Sequence, residues 1–151
     1  MDVLSLLKKD HDTVKSLFAK FESAGKNAHQ MKRELFEQIR RDLFVHSRAE
    51  EEIFYAAIKA RSGPGRKLVS EASREHREID ELLRRTAHLK VEVPQFGDRF
   101  AALMEDVEHH IDEEEGPVFQ FAKESFPAEQ LVEMATDIEE RKKALGRRLA
   151  A

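Results

Sequence analysis

Apolar residues recur at alternating steps of three and four along four stretches of this chain, the period of a helix that buries one face. The first stretch reads Leu4, Leu7, Val14, Phe18 and Phe21, with His11 in step. The second reads Leu35, Ile39, Leu43, Phe54 and Ala57, with His46 and Glu50 in step. Val69, Ala72, Ile79 and Leu83 make the third, interrupted by His76, and Phe96, Phe100, Leu103, Val107 and Val118 make the fourth, interrupted by His110 and Glu114. The pattern predicts helices over about residues 2–24, 31–61, 66–90 and 96–123. Gly25, the turn signal Ser62-Gly63-Pro64-Gly65 and the break Val91-Glu92-Val93-Pro94 separate them. A fifth helix over about 128–149 follows Pro127, a proline suited to a first turn, and carries no candidate ligand. Gly116-Pro117 inside the fourth stretch predicts a kink or an early end. The expected fold class is all-α, an up-down-up-down four-helix bundle with an additional C-terminal helix. With no long linker or low-complexity tract, residues 1–151 are expected to form a single domain.

Six polar residues thus stand where apolar ones are due. Burying them without partners would cost several kcal/mol per charged group, so something in the core must bind them. Their heights agree. His11 and His76 lie about 13 to 14 residues before the ends of their helices, and His46 and His110 about 14 to 15 after the starts of theirs. At ~1.5 Å per residue all four imidazoles fall at one level of an antiparallel bundle, ~20 Å from the same end. The chain also repeats itself: Asp10-His11-x-x-Val14-x-x-Leu17 returns as Glu75-His76-x-x-Ile79-x-x-Leu82, and His46-x-x-x-Glu50-Glu51 as His110-x-x-x-Glu114-Glu115. Each His-x-x-x-Glu step places its two side chains on one helix face about one turn apart, so that the two glutamates can bridge a pair of ions that the histidines anchor.

Other donors fit less well. His109 with Glu113 has the same spacing as His110 with Glu114, but its frame would turn Asp106, Ala102 and Arg99 toward the core. Glu51 and Glu115 point about 140° from their histidines, toward solvent or toward the ligands from outside. His29 near a loop, His88 near a helix end and His109 off the seam are left outside the site, and Tyr55 is read as a core or outer residue. Asp80, one turn after His76, is a candidate seventh ligand, although Lys15 occupies the corresponding place after His11.

Composition narrows the chemistry further. There is no cysteine, so a metal must be held by nitrogen and oxygen, and the chain suits a reducing compartment. The net charge of −4, from 26 basic and 30 acidic residues, argues against a nucleic acid partner. The N-terminus lacks the features of a signal peptide and no apolar run approaches a membrane span, so the expectation is a soluble, cytoplasmic protein without a membrane partner.

A lone histidine, then His-x-x-x-Glu, then a lone histidine, then His-x-x-x-Glu on successive helices resembles the hemerythrin-like, or HHE cation-binding, family over residues 2 to about 123. The resemblance implies a non-haem di-iron centre, commonly oxo- or hydroxo-bridged, inside an up-down-up-down bundle. Carried over residue by residue, it makes His11, His46, Glu50, His76, His110 and Glu114 the metal ligands. In the oxygen carriers the third helix supplies two histidines one turn apart; here Ala72 and Asp80 flank His76, leaving four imidazoles and a more open site. The donor set by itself suits iron, manganese or zinc, and iron follows from the resemblance. The expected function is the binding of oxygen or a related small oxidant, peroxide or nitric oxide, in an oxygen-handling, sensing or detoxifying role. The alternatives are a peroxide-disproportionating, catalase-like enzyme and a metal-binding structural or sensor module.

Overall fold

The computed structural model describes residues 1–61 and 63–150, and all of its regular structure is helical. Helix α1 is Val3–Ser23, and the Asp2 carboxylate caps it by accepting from the Ser5 amide at 2.9 Å. Helix α2 begins at His29–Ala49, passes through a π-helical stretch, Glu50–Tyr55, and ends with Ala56–Lys59. Helix α3 is Pro64–Ala87. Helix α4 begins at Pro94–Glu113, passes through a second π-helical stretch, Glu114–Val118, and ends with Phe119–Ser125. Helix α5 is Ala128–Ala150. The expected four-helix bundle with a further C-terminal helix is present. Helix α1 packs on α2 and α3 on α4, while α5 lies across α1, α2 and the π turn of α2.

Two details differ from the sequence reading. Pro64 and Pro94 start helices rather than merely ending the preceding ones, since a first-turn amide needs no partner and proline presets φ. Gly63 takes φ 92° just ahead of Pro64, a backbone state that suits glycine; Ser62 of the same turn signal lies outside the described residues. Gly116-Pro117 does not end α4. The chain widens there into a π turn, which eases the clash of the proline ring with the preceding turn, and continues to Ser125.

The core falls into two apolar halves. One holds Leu4, Leu7, Phe54, Ile58, Val69, Val118 and Ala122, together with Leu131, Met134 and Ile138 of α5. The other holds Val14, Phe18, Ile39, Leu43, Ile79, Leu83, Leu103 and Val107, closed by an aromatic group in which Phe21 stacks on Phe100 with centroids 3.8 Å apart. The seam of α2 departs from expectation at both ends. Phe36 is fully buried in place of Leu35, and Ile58 in place of Ala57 because the π turn inserts an extra residue ahead of it.

Gly65 marks a close approach of α3 to the end of the bundle. A Cβ there would lie 2.6 Å from Phe121 Cε1 and 2.9 Å from Ile58 Cγ2. Gly65→Ala is expected to destabilise by ~1–3 kcal/mol through overpacking. Gly97→Ala, with nothing within 4 Å of the added atom, should instead be neutral or stabilise by up to ~1 kcal/mol. Chemical denaturation of both variants checks the contrast.

Candidate metal centre

Between the two apolar halves lies a polar layer. His11 follows Leu7 and precedes Val14, His76 follows Ala72 and precedes Ile79, and the His-x-x-x-Glu pairs cross the same level from α2 and α4. All six seam residues are buried: His11 3 %, His46 6 %, Glu50 0 %, His76 8 %, His110 5 % and Glu114 1 % exposed. Their ligand atoms form two compact groups, one of His11, His46, Glu50 and Glu114 and the other of Glu50, His76, His110 and Glu114. The glutamates are common to both. Imidazole centroids within each group are 5.0 Å apart for His11 and His46 and 4.5 Å for His76 and His110. His109, with 67 % of its side chain exposed, lies outside, as do the half-buried His29 and the exposed His88. Asp80 is exposed and belongs to neither group, because the buried face of α3 continues from His76 through Ile79 and Leu83.

Each imidazole is held from outside by a carboxylate of another helix. His46 Nδ1–H donates to Asp10 Oδ2 of α1 at 2.9 Å, and His76 Nδ1–H to Glu51 Oε1 of α2 at 3.2 Å. His110 Nδ1–H donates to Glu75 Oε1 of α3 at 2.8 Å, and His11 Nδ1–H to Glu115 Oε2 of α4 at 2.7 Å. The four contacts run in one sense around the bundle, each helix steadying a histidine of the next. An ionised carboxylate can only accept, so Nδ1 carries the proton and Nε2 of each neutral ring is left with a lone pair directed inward. Contact with its histidine holds Glu51 and Glu75 below the usual carboxylate range against the opposing effect of burial. Asp10 is lowered too, its burial outweighed by His46 and Lys142.

These outer carboxylates were within reach of sequence reasoning. Asp10 and Glu75 immediately precede the lone histidines of the repeat, and Glu51 and Glu115 immediately follow its glutamates. The sequence signal was the adjacency itself; the pairing across helices was not in it. Tyr55 is a further member of the site. Its ring stacks on His76 at 5.3 Å, and its hydroxyl donates to Glu114 Oε2. Phe119 takes the equivalent place after the second π turn and stacks on His11 at 6.4 Å.

The interior of the layer is short of hydrogen-bond partners. His11, His46, His76 and His110 Nε2, both Glu50 oxygens and Glu114 Oε1 lack a hydrogen-bond partner. The Nε2 atoms approach the glutamates at 3.1–3.5 Å but without hydrogen-bond geometry. Burial and the charge of Glu114 push Glu50 well above the carboxylate range, while contacts from Glu50, His11 and His110 overcome burial and hold Glu114 well below it. Burial lowers His46 and His76; for His110 the contacts with Glu114 and Glu75 outweigh burial and raise it to about 9, and His11 is raised in the same way by Glu114 and Glu115. Two buried glutamates facing four inward Nε2 atoms, all able to give up their protons, suit cations of the kind that imidazole and carboxylate bind together.

The sequence profile of the hemerythrin HHE cation binding domain matches residues 2–122. A DNA nickase from Nostoc sp. (strain PCC 7120) is 30 % identical over 149 residues, which is 99 % of this chain and 41 % of the nickase. An uncharacterized hemerythrin-like protein from Schizosaccharomyces pombe is 29 % identical over 136 residues, covering 89 % of this chain and 66 % of its own length. The chain therefore spans less than two thirds of either relative. A crystal structure of an HHE cation binding domain-containing protein from Mycobacterium kansasii superposes with a TM-score of 0.83 at 24 % identity, covering 99 % of this chain and 91 % of that one, which is a likeness of fold.

The titration of the layer fixes how metal and pH act on stability. His110, raised in the fold from an unfolded value of about 6.5 to about 9, contributes stability that is full below pH 6.5 and is lost as pH rises through 9. The lowered His46 and His76 act oppositely, and their contribution disappears as pH falls below 6.5. Metal needs neutral imidazoles and ionised carboxylates, so its binding releases protons and strengthens with pH. The gap in melting temperature between zinc-loaded and metal-free protein should be wider at about pH 8.5 than at about pH 6.5, and narrowest at about pH 5.5. Calorimetry at the three pH values measures it, and a constant gap would contradict the assignment.

Proposed function

Because the chain belongs to the hemerythrin HHE cation-binding domain family, we propose that His11, His46, Glu50, His76, His110 and Glu114 hold two iron ions and that the protein binds oxygen or a related small oxidant. The observation that carries this reading is the pair of buried donor groups sharing Glu50 and Glu114, with the Nε2 atom of each histidine unpartnered. Bound iron would supply the redox chemistry. The chain's own residues supply the rest: the glutamates offer shared oxygens to both positions, the outer carboxylates fix ring tautomer and orientation, and the apolar halves keep bulk water from the layer.

Access for a small ligand is best supported on the His76 side. A groove of about 470 Å³ between α2 and α3 has Leu43, Ile79 and Leu83 in its lining together with His76 and Glu51. This is where Asp80 turns away from the site and no fifth histidine is supplied. The Nostoc relative's name speaks of DNA, but a net charge of −4 gives little attraction to a phosphodiester backbone. The proposal for this chain is therefore small-oxidant chemistry in a cytoplasmic setting, with manganese and zinc as the other metals to exclude.

Elemental analysis of reconstituted protein is expected to give two ions per chain, and one or none would overturn the proposal. His46→Ala or His110→Ala should remove most of the metal, while His29→Ala and His109→Ala should retain it.

Optical spectra of iron-loaded protein, recorded reduced and then exposed to air, peroxide or nitric oxide, are expected to change with at least one oxidant. Catalytic peroxide consumption by the iron form, absent from the metal-free form, would assign a catalase-like enzyme. A spectrum indifferent to every oxidant would assign a structural or sensor module.

A further inference from the structure

The four carboxylates that hold the imidazoles are alike in role but not in surroundings. Among the described residues, Asp10 is the one of the four with a lysine or arginine in ion-pair contact: Lys142 Nζ of α5 donates to Asp10 Oδ1 and Oδ2, both at 2.7 Å. Oδ2 is also the acceptor of His46 Nδ1–H. Glu75, which corresponds to Asp10 in the repeat, meets besides His110 the exposed ring of His109 at 3.6 Å, and among the described residues neither Glu51 nor Glu115 has a lysine or arginine in ion-pair contact. Lys142 comes from a helix outside the residues matched by the family profile. Its contact with Asp10 borders a groove of about 600 Å³ whose lining includes Asp10, His46, Lys142, Lys143 and Leu149, so Asp10 would turn to water if the ammonium were removed.

We propose that Lys142 is a positioning residue that acts through Asp10 on His46 and so makes the two metal positions unequal: the position built from His11 and His46 depends on α5, and the one built from His76 and His110 does not. The ammonium grips both oxygens of Asp10 and fixes the carboxylate plane. The fixed carboxylate holds the His46 ring with Nδ1 protonated and Nε2 facing inward. Among the described residues, no α5 side chain is hydrogen-bonded or ion-paired to Glu75 or His110, and α5 packs chiefly on α1 and α2. The inference rests on the reading that the layer holds metal, and the test separates the two.

Zinc-loaded protein is challenged with a chelator and the release of each ion is timed. In Lys142→Ala one ion should leave about tenfold faster while the other keeps its rate, in line with the loss of an outer partner of a ligand. Lys142→Arg should restore the slow phase. Arg141→Ala, which breaks the ion pair of the same helix with Glu52 at 2.5 Å but touches none of the four carboxylates, should behave as wild type. Adding Lys142→Ala to Asp10→Asn should change nothing further, because the lysine acts through that carboxylate.

Equal acceleration of both ions, the same effect from Arg141→Ala, or an additional effect on top of Asp10→Asn would overturn the proposal in favour of general loosening of α5. If wild type held no zinc, the metal reading itself would fall. The positioning claim would still be decided in metal-free protein by the His46 ring N–H in nitrogen-resolved NMR. A signal protected in wild type and lost in Lys142→Ala supports it, and an unchanged signal overturns it.

Discussion

The structure depends on one constraint: a layer of four imidazoles and two carboxylates is buried at mid-height in a bundle that could have been apolar throughout. Such a layer is tolerable only if each polar atom has a partner. The outward nitrogens find theirs in Asp10, Glu51, Glu75 and Glu115, each supplied by an adjacent helix. The inward nitrogens, both Glu50 oxygens and Glu114 Oε1 are left to whatever binds between them. The stability of the bundle and the chemistry of its centre are therefore set by the same atoms.

The duplication in the chain is carried into the fold down to the helix defects. Both π turns begin at a shared glutamate, Glu50 in α2 and Glu114 in α4. In each, the extra residue brings two successive side chains into the core, Phe54 with Tyr55 and Val118 with Phe119. The second of each pair lies flat against a lone histidine of the site, with interplanar angles of 14° and 15°. The two halves then differ by a hydroxyl, since Tyr55 reaches Glu114 and Phe119 cannot. A π turn at a functional position is a recurrent device for placing such a side chain.

A second departure from symmetry comes from outside the repeat. Helix α5 covers α1, α2 and the π turn of α2, contributes Leu131, Met134, Ile138 and Leu145 to one apolar half, and adds ion pairs from Arg141 and Lys142. The opposite side of the layer keeps its groove beside His76. Both sides of the centre thus border grooves, and the His46 side is in addition braced by α5.

The helices, most of their inward faces, the burial of His110 rather than His109 and the gathering of six polar residues at one level could all be read from the sequence. Periodicity and the cost of a buried charge act at fixed spacing along a single helix, and equal distances from short loops convert spacing into height. What could not be read there depended on contacts between residues 25 to 132 positions apart. These include which carboxylate meets which imidazole and the use of Lys142 by Asp10; the extra residue that replaces Ala57 with Ile58 on the seam is local to the π turn but has no mark in the apolar pattern. Asp80 likewise is exposed because Ile79 and Leu83 take the buried positions after His76. Local pattern sets which face of a helix turns inward, but only the packed bundle decides what that face meets, because a hydrogen bond needs its donor and acceptor within about 3 Å and no sequence spacing fixes that distance across helices.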